Sequence, residues 1–149
     1  MTQLTPHFTL EDMVRSDIAT RKCINNVPSP EVIANLRQLC DRLEIVRSYL
    51  GNNPMIITSG FRCAQLNSEI GGSATSDHVS GWAADFLCPA FGDPEAVCKE
   101  IESSAIIFDQ LIFEGTWTHI SFSPKSRGDV LTAHFHPGGV AYTDGIGLA

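Results

Sequence analysis

Ser76-Asp77-His78-Val79-Ser80-Gly81-Trp82-Ala83-Ala84-Asp85 sets an imidazole and a carboxylate on either side of a glycine, at the start of the apolar run Ala83 to Cys88. A short apolar run that follows a glycine reads as a buried strand, so His78 belongs to the loop leading into it and Asp85 to the strand itself. A second candidate strand, Trp117-Thr118-His119-Ile120-Ser121-Phe122, carries another histidine. Two histidines and one carboxylate fill three positions of a tetrahedral zinc and leave the fourth open, the arrangement of a catalytic rather than a structural site. These residues therefore imply a zinc hydrolase, with His78, Asp85 and His119 as the metal ligands.

Composition bounds what such a site can serve. A chain of 149 residues is one ordinary domain, spanning 1–149, and is long enough to bury a core without staples. Hydrophobic content of 43% and charged content of 18% are globular values, which exclude wholesale disorder. The net charge of −7 argues against a nucleic-acid partner, which calls for a basic face. No stretch approaches the ~18 consecutive apolar residues of a membrane span, so membrane insertion is not expected. Met1 to Pro6 shows neither a basic n-region nor an apolar h-region, so synthesis in the cytoplasm without a signal peptide is expected. Five cysteines, at 23, 40, 63, 88 and 98, are odd in number and form no CxxC pair; they read as reduced, buried thiols. With no long spare apolar stripe, a monomer is expected.

Working outward from the quoted stretch, Thr9-Leu10-Glu11-Asp12 resembles a capped helix start and opens a short helix to about Ser16. Ser29-Pro30-Glu31 is a stronger one, and Ile33, Leu36, Cys40, Leu43, Val46 and Leu50 then recur at helical spacing before Gly51. Met55 to Ser59 reads as a strand, Cys63 to Ile70 as a short helix, and a further helix follows Asp93-Pro94-Glu95 with Val97, Cys98 and Ile101 inward. Strands are expected at Phe108 to Phe113 and Trp117 to Phe122, and a terminal hairpin joins Val130–Phe135 to Val140–Thr143 through Pro137-Gly138-Gly139. The fold class is α+β: a largely antiparallel sheet with helices packed on one face.

Register supplies a geometric test. With Gly115-Thr116 as a two-residue turn, Glu114 faces Trp117, Phe113 faces Thr118 and Ile112 faces His119. Gln110, Ile112 and Glu114 then share a face with Trp117, His119 and Ser121, while Leu111, Phe113, Ile120 and Phe122 point to the helices. Glu114 becomes a diagonal neighbour of His119, where a general base for a zinc-activated water belongs. Zinc would lower that water's pKa and polarise a carbonyl. Arg62, just after the strand end Thr58-Ser59-Gly60-Phe61, offers a fork for a substrate carboxylate or a developing oxyanion. Ser76 and Asp77 brace the His78 loop or touch substrate, and Trp117 is a candidate wall of the cleft.

The set Ser59-Gly60-Phe61-Arg62, Asn67, Gly72-Ser73, Ser76-x-His78, Gly81, Ala83, Asp85 and Trp117-x-His119 resembles a known group. It is similar to the zinc D-alanyl-D-alanine carboxypeptidases and the phage L-alanyl-D-glutamate endopeptidases, which share a hedgehog-type fold. That resemblance implies a Zn2+ cofactor at His78, Asp85 and His119, a peptidoglycan stem peptide as substrate, and Arg62 as the group that orients it. It further implies action at the cell wall or periplasm, with a separate pore-forming protein for export, as phage and prophage lytic enzymes use. The pattern departs in one place: many members carry the catalytic acid three residues before the last histidine, where this chain has Thr116. Glu114 lies five before, closer to the hedgehog-type placement.

Two other readings stand beside this one. His134-Phe135-His136 is a His-x-His pair of a kind that can ligate zinc, at what reads as an exposed hairpin end. A domain of the same fold can also keep zinc without turnover, as a binding or virion structural module.

Overall fold

The computed structural model of the chain describes residues 1–147. It begins with a two-stranded antiparallel sheet, β1 (Gln3–Thr5) and β2 (Phe8–Thr9), which the sequence reading missed. Helix α1 (Leu10–Val14) follows, closed at its start by the expected reciprocal cap: Thr9 Oγ1 accepts from Asp12 N, and Asp12 Oδ2 accepts from Thr9 N. The helix does not run on to Ser16. Arg15 turns extended and the Ser16 hydroxyl accepts from Ala19 N, starting a separate helix α2 (Asp17–Arg21). A serine that satisfies an orphan amide at a new N-terminus competes with continuation of the old helix.

Helix α3 (Pro30–Tyr49) starts at the Ser29 cap with Pro30 in its first turn. Leu36, Leu39, Cys40, Leu43, Val46 and Leu50 are fully buried, whereas Ile33 is only half-buried and Leu39 completes the stripe. Beyond it come β3 (Ile56–Ser59), α4 (Ala64–Glu69), α5 (Asp77–Ser80), β4 (Ala83–Leu87) and α6 (Pro94–Glu102). The remainder is strand: β5 (Gln110–Phe113), β6 (Thr118–Ser121), β7 (Asp129–His136) and β8 (Gly139–Asp144). The α3 stripe packs on Ala84 and Phe86 of β4, Leu111 of β5 and Ile120 of β6, with Val97, Cys98 and Ile101 of α6 completing the layer. Burying each such leucine or isoleucine contributes ~1.5–3 kcal/mol, so this one helix–sheet interface dominates the fold. Cysteines 40, 88 and 98 are buried and Cys63 half-buried, but Cys23 is exposed, contrary to expectation; none of the five is paired.

The main sheet has six strands in the order β3-β4-β6-β5-β7-β8. Four of its pairings are antiparallel, but β7 runs parallel to β5, so the sheet is mixed. The chain leaves β6, passes round the start of β5 and returns on the far side of it. Asp109 holds that crossing. Its buried carboxylate accepts from the backbone N, Nε and Nη2 of Arg127 at 2.9–3.0 Å, and its backbone carbonyl accepts from Asp129 N. The Arg127 fork first, against a smaller opposing effect of burial, holds the Asp109 carboxyl below its usual range.

A depressed carboxylate stabilises the fold above its unfolded pKa and loses that contribution as pH falls through the folded value. Asp109→Asn is therefore expected to cost about 2 kcal/mol at pH 7, less than a fully buried pair because Arg127 is half in water. Urea unfolding at pH 7 and near pH 3 measures this, and the gap between the two proteins should close at the lower pH.

Among the described residues no helix is long and apolar enough to cross a membrane.

Candidate metal centre

Three neighbouring elements converge on one face of the sheet. Asp85 on β4 lies directly opposite His119 on β6, and Ile112 on β5 lies opposite His119 on the other side. The turn at Gly115-Thr116 has the register expected from sequence, with Glu114 N donating to the Trp117 carbonyl. His78 comes from α5, a single helical turn where a loop was expected. Ser76 Oγ caps that turn by accepting from His78 N, and Gly81 ends it at φ +82. A side chain at Gly81 would be strained by its backbone and would press on Val32 at 3.0 Å.

Nδ1 of His78 contacts the Gly60 carbonyl at 2.7 Å. A carbonyl only accepts, so Nδ1 is the protonated nitrogen and Nε2 carries the lone pair. Gly60 itself sits against α1: a Cβ there would fall 2.4 Å from the Met13 carbonyl oxygen. Arg62 N in turn donates to the His78 carbonyl at 3.1 Å, and Asn26 bridges Phe61 O and Cys63 N. Gly60→Ala is accordingly expected to force α1 away from the site, costing ~1–3 kcal/mol as overpacking does and weakening zinc uptake with it. A thermal melt paired with a zinc titration would check both effects.

Nε2 of His78 lies 3.2 Å from Asp85 Oδ1, and Nδ1 of His119 lies 2.9 Å from the same oxygen. The two imidazoles meet edge to face, with centroids 5.1 Å apart. Donor atoms of all three residues fall within 4.8 Å of one another. Burial, only partly offset by Asp85, pushes His78 down, so its ring is neutral. Burial works to raise Asp85, but its histidine neighbours outweigh it and hold the carboxyl far below its usual range, with His119 the partner that keeps a proton for it. A neutral Nε2 and an ionised Oδ1 are both acceptors. Two acceptors facing each other in a buried site call for a cation between them. His119 supplies part of that: burial opposes its charge, yet hydrogen bonding and attraction from Asp85 and Glu114 raise it. The nitrogen–nitrogen–oxygen donor set, with the second nitrogen of His78 fixed by a carbonyl, fits zinc.

Glu114 Oε1 lies 3.7 Å from His119 Nδ1, with the side chain 15% exposed. Burial, then the Asp85 charge, raises its carboxyl above the usual range against the pull of His119, Trp117 and Arg62. The Arg62 guanidinium reaches Asp85 Oδ2 at 3.8 Å and donates from Nη1 to Asn67 Oδ1 at 3.1 Å. Among the described residues its Nε is buried without a hydrogen-bond partner, and the indole of Trp117 lies by the Glu114 carboxyl.

Asn67 and Asn26 carry duties that sequence reasoning did not assign, while Asp77 takes the bracing one of the two roles considered for it. Asn67 is almost fully buried and ties Arg62 to the Ser73 carbonyl, Asn26 clamps the loop at Phe61, and Asp77 accepts from Ser121 Oγ at 2.5 Å. Asp77 is thereby engaged in holding α5 to β6. Asn67 entered the sequence reading only as part of the family pattern, with no role of its own. The pair His134 and His136 is not brought to the cluster. β5–β7 register puts Leu131 beside Ile112 on the site face, and hence Val130, Thr132, His134 and His136 on the other. His134 Nε2 contacts Thr143 Oγ1 instead.

A helix-backed mixed sheet carrying a His–Asp–His cluster beside a buried glutamate and arginine defines a metallopeptidase-type domain. The sequence matches the family Peptidase M15 over residues 6–121, and the chain belongs to that family. It is also 39% identical over 44 residues to a zinc D-Ala-D-Ala carboxypeptidase of Streptomyces albus G. That match covers 30% of this chain and 17% of the relative.

Proposed function

We propose that the protein is a zinc-dependent peptidase that hydrolyses peptidoglycan stem peptides, at a D-Ala-D-Ala or an L-Ala-D-Glu bond. The observation that carries the reading is the pair of facing acceptors, His78 Nε2 and Asp85 Oδ1, completed by His119 and set beside Glu114 and Arg62. Family membership and the carboxypeptidase relative support it. His78, Asp85 and His119 would hold the ion, and zinc bound there supplies a Lewis acid that polarises a carbonyl and acidifies a water.

The chain's own groups do the rest. Glu114 takes a proton from the attacking water and returns it to the leaving amine, a role suited to a carboxylate raised by burial. Arg62, braced through Asn67, binds a substrate carboxylate through the end of its guanidinium. Trp117 walls the cleft beside Glu114. Ser76 acts by capping the His78 turn, with substrate contact secondary. As a monomeric stem-peptide hydrolase the protein suits a phage or prophage lytic role at the cell wall, delivered through a separate pore-forming protein.

The test is release of amino groups from purified peptidoglycan, measured together with bound zinc. One zinc per chain with release that stops on chelation is the expected result. Full zinc without release would leave a zinc-retaining binding module of the same family.

A further inference from the structure

The hairpin of β7 and β8 lies outside the span matched to the family, residues 6–121, yet it reaches the site. β7 pairs with β5 only as far as Thr132 opposite Phe113, then runs on to His136 alongside the Glu114–Trp117 turn. Register fixes what the hairpin shows to the cleft. Ala133 and Phe135 follow Leu131 on the site face, and their cross-strand partners Tyr142 and Val140 share it. Phe135, Val140 and Tyr142 are about half exposed, which is unusual for three large apolar groups on one face.

That face is continuous with the metal cluster. The Phe135 ring lies 5.9 Å from Trp117, centroid to centroid, and Trp117 sits two residues before His119. Tyr142 is near enough to the Glu114 carboxylate for that charge, after burial, to raise its phenol. Across the cluster Arg62 provides positive charge, whereas Ala133, Phe135, Val140 and Tyr142 offer none and the one charge that shares their face, Asp144 opposite Leu131, is negative. The cleft is therefore polarised: an anionic group belongs at the Arg62 side and an uncharged one at the hairpin.

The shape narrows the occupant further. A sugar ring stacks best on a flat aromatic platform, but Trp117 and Phe135 are inclined by 46° and form a wedge. A wedge of that kind grips a small aliphatic group. We infer that the β7–β8 hairpin is a specificity subsite in which Phe135 and Tyr142, with Trp117, seat a short aliphatic side chain of the peptide flanking the scissile bond. The inference rests on the peptidase reading, and it names residues that the family match does not reach.

The test uses the full chain and two probes, a tripeptide with alanine at the flanking position and its aspartate counterpart. Their binding is followed by calorimetry, whether or not they are cleaved. The alanine peptide is expected to bind at least ~10-fold more tightly, about 1.4 kcal/mol, because the aspartate carboxylate would lose its water in an uncharged wedge without gaining a partner. Phe135→Ser and Tyr142→Ser should each shrink that preference to within about twofold, raising KM with little change in kcat. Both positions are half exposed, so folding should survive. Ile107→Ser, an exposed residue elsewhere, is the control and should change nothing.

An unmutated protein with no preference for alanine, or a preference that persists in both variants, overturns the subsite. So does tighter binding of a disaccharide than of either peptide. Cleavage with an unchanged preference would sink the subsite alone. A preference that depends on Phe135, without any cleavage, would keep the subsite and sink the peptidase reading.

Discussion

His119→Ala is expected to abolish zinc binding and peptide hydrolysis together. The Asp85 carboxylate is fully ionised and nearly buried, and His78, neutral and hydrogen-bonded to Gly60, offers it only a second acceptor. His119 is the one member of the trio that can share a proton with Asp85 when no ion is present, at 2.9 Å. Without it two donors remain for an ion that takes four, and Glu114 loses the neighbour that fixes its position. A metal contributes several kcal/mol of transition-state stabilisation, so activity should fall by at least ~10³-fold. Metal analysis of the purified variant, beside His134→Ala, gives the contrast. His134 lies on the opposite face and its variant should keep full zinc. Zinc retained in His119→Ala and lost in His134→Ala would overturn the assignment.

Glu114→Gln should leave zinc in place and still reduce turnover by ~10²–10⁴-fold, the usual contribution of a positioned acid–base group. The amide keeps the size of the carboxyl and one acceptor oxygen but cannot take a proton. The loss should therefore fall on kcat, with KM little changed. The resemblance read from the sequence would put the acid three residues before His119, where this chain has Thr116. Thr116 is exposed, whereas Glu114 Oε1 is 3.7 Å from the His119 ring. Full activity in Glu114→Gln would move the proton transfer elsewhere. Asp77 would be a poor successor while it is bonded to Ser121.

Much of this site was legible before any coordinates. The two-residue turn fixed the Glu114–His119 register because strand alternation and hairpin length leave no freedom once the turn is set. The cap at Thr9, the Ser29-Pro30 start and most of the α3 stripe were legible for the same reason: they depend on neighbours three or four residues away. Departures came where a local signal had a competitor, as when Ser16 split the first helix, or where a strand pair was too short to show a period, as in β1 and β2.

The amino-acid pattern alone picked out His78, Asp85 and His119 as a candidate trio with Glu114 beside them, and it set the faces of β5 and β6, because spacing along a strand dictates side. Tertiary structure decided what depends on distant partners. It laid β7 parallel on β5, turned His134 and His136 from the metal side, and aimed Phe135 at Trp117. It also set the charge state of the cluster, since the Gly60 carbonyl selects the His78 tautomer and burial keeps that ring neutral. Strand pairing and desolvation are properties of the packed chain, and no window of residues contains them.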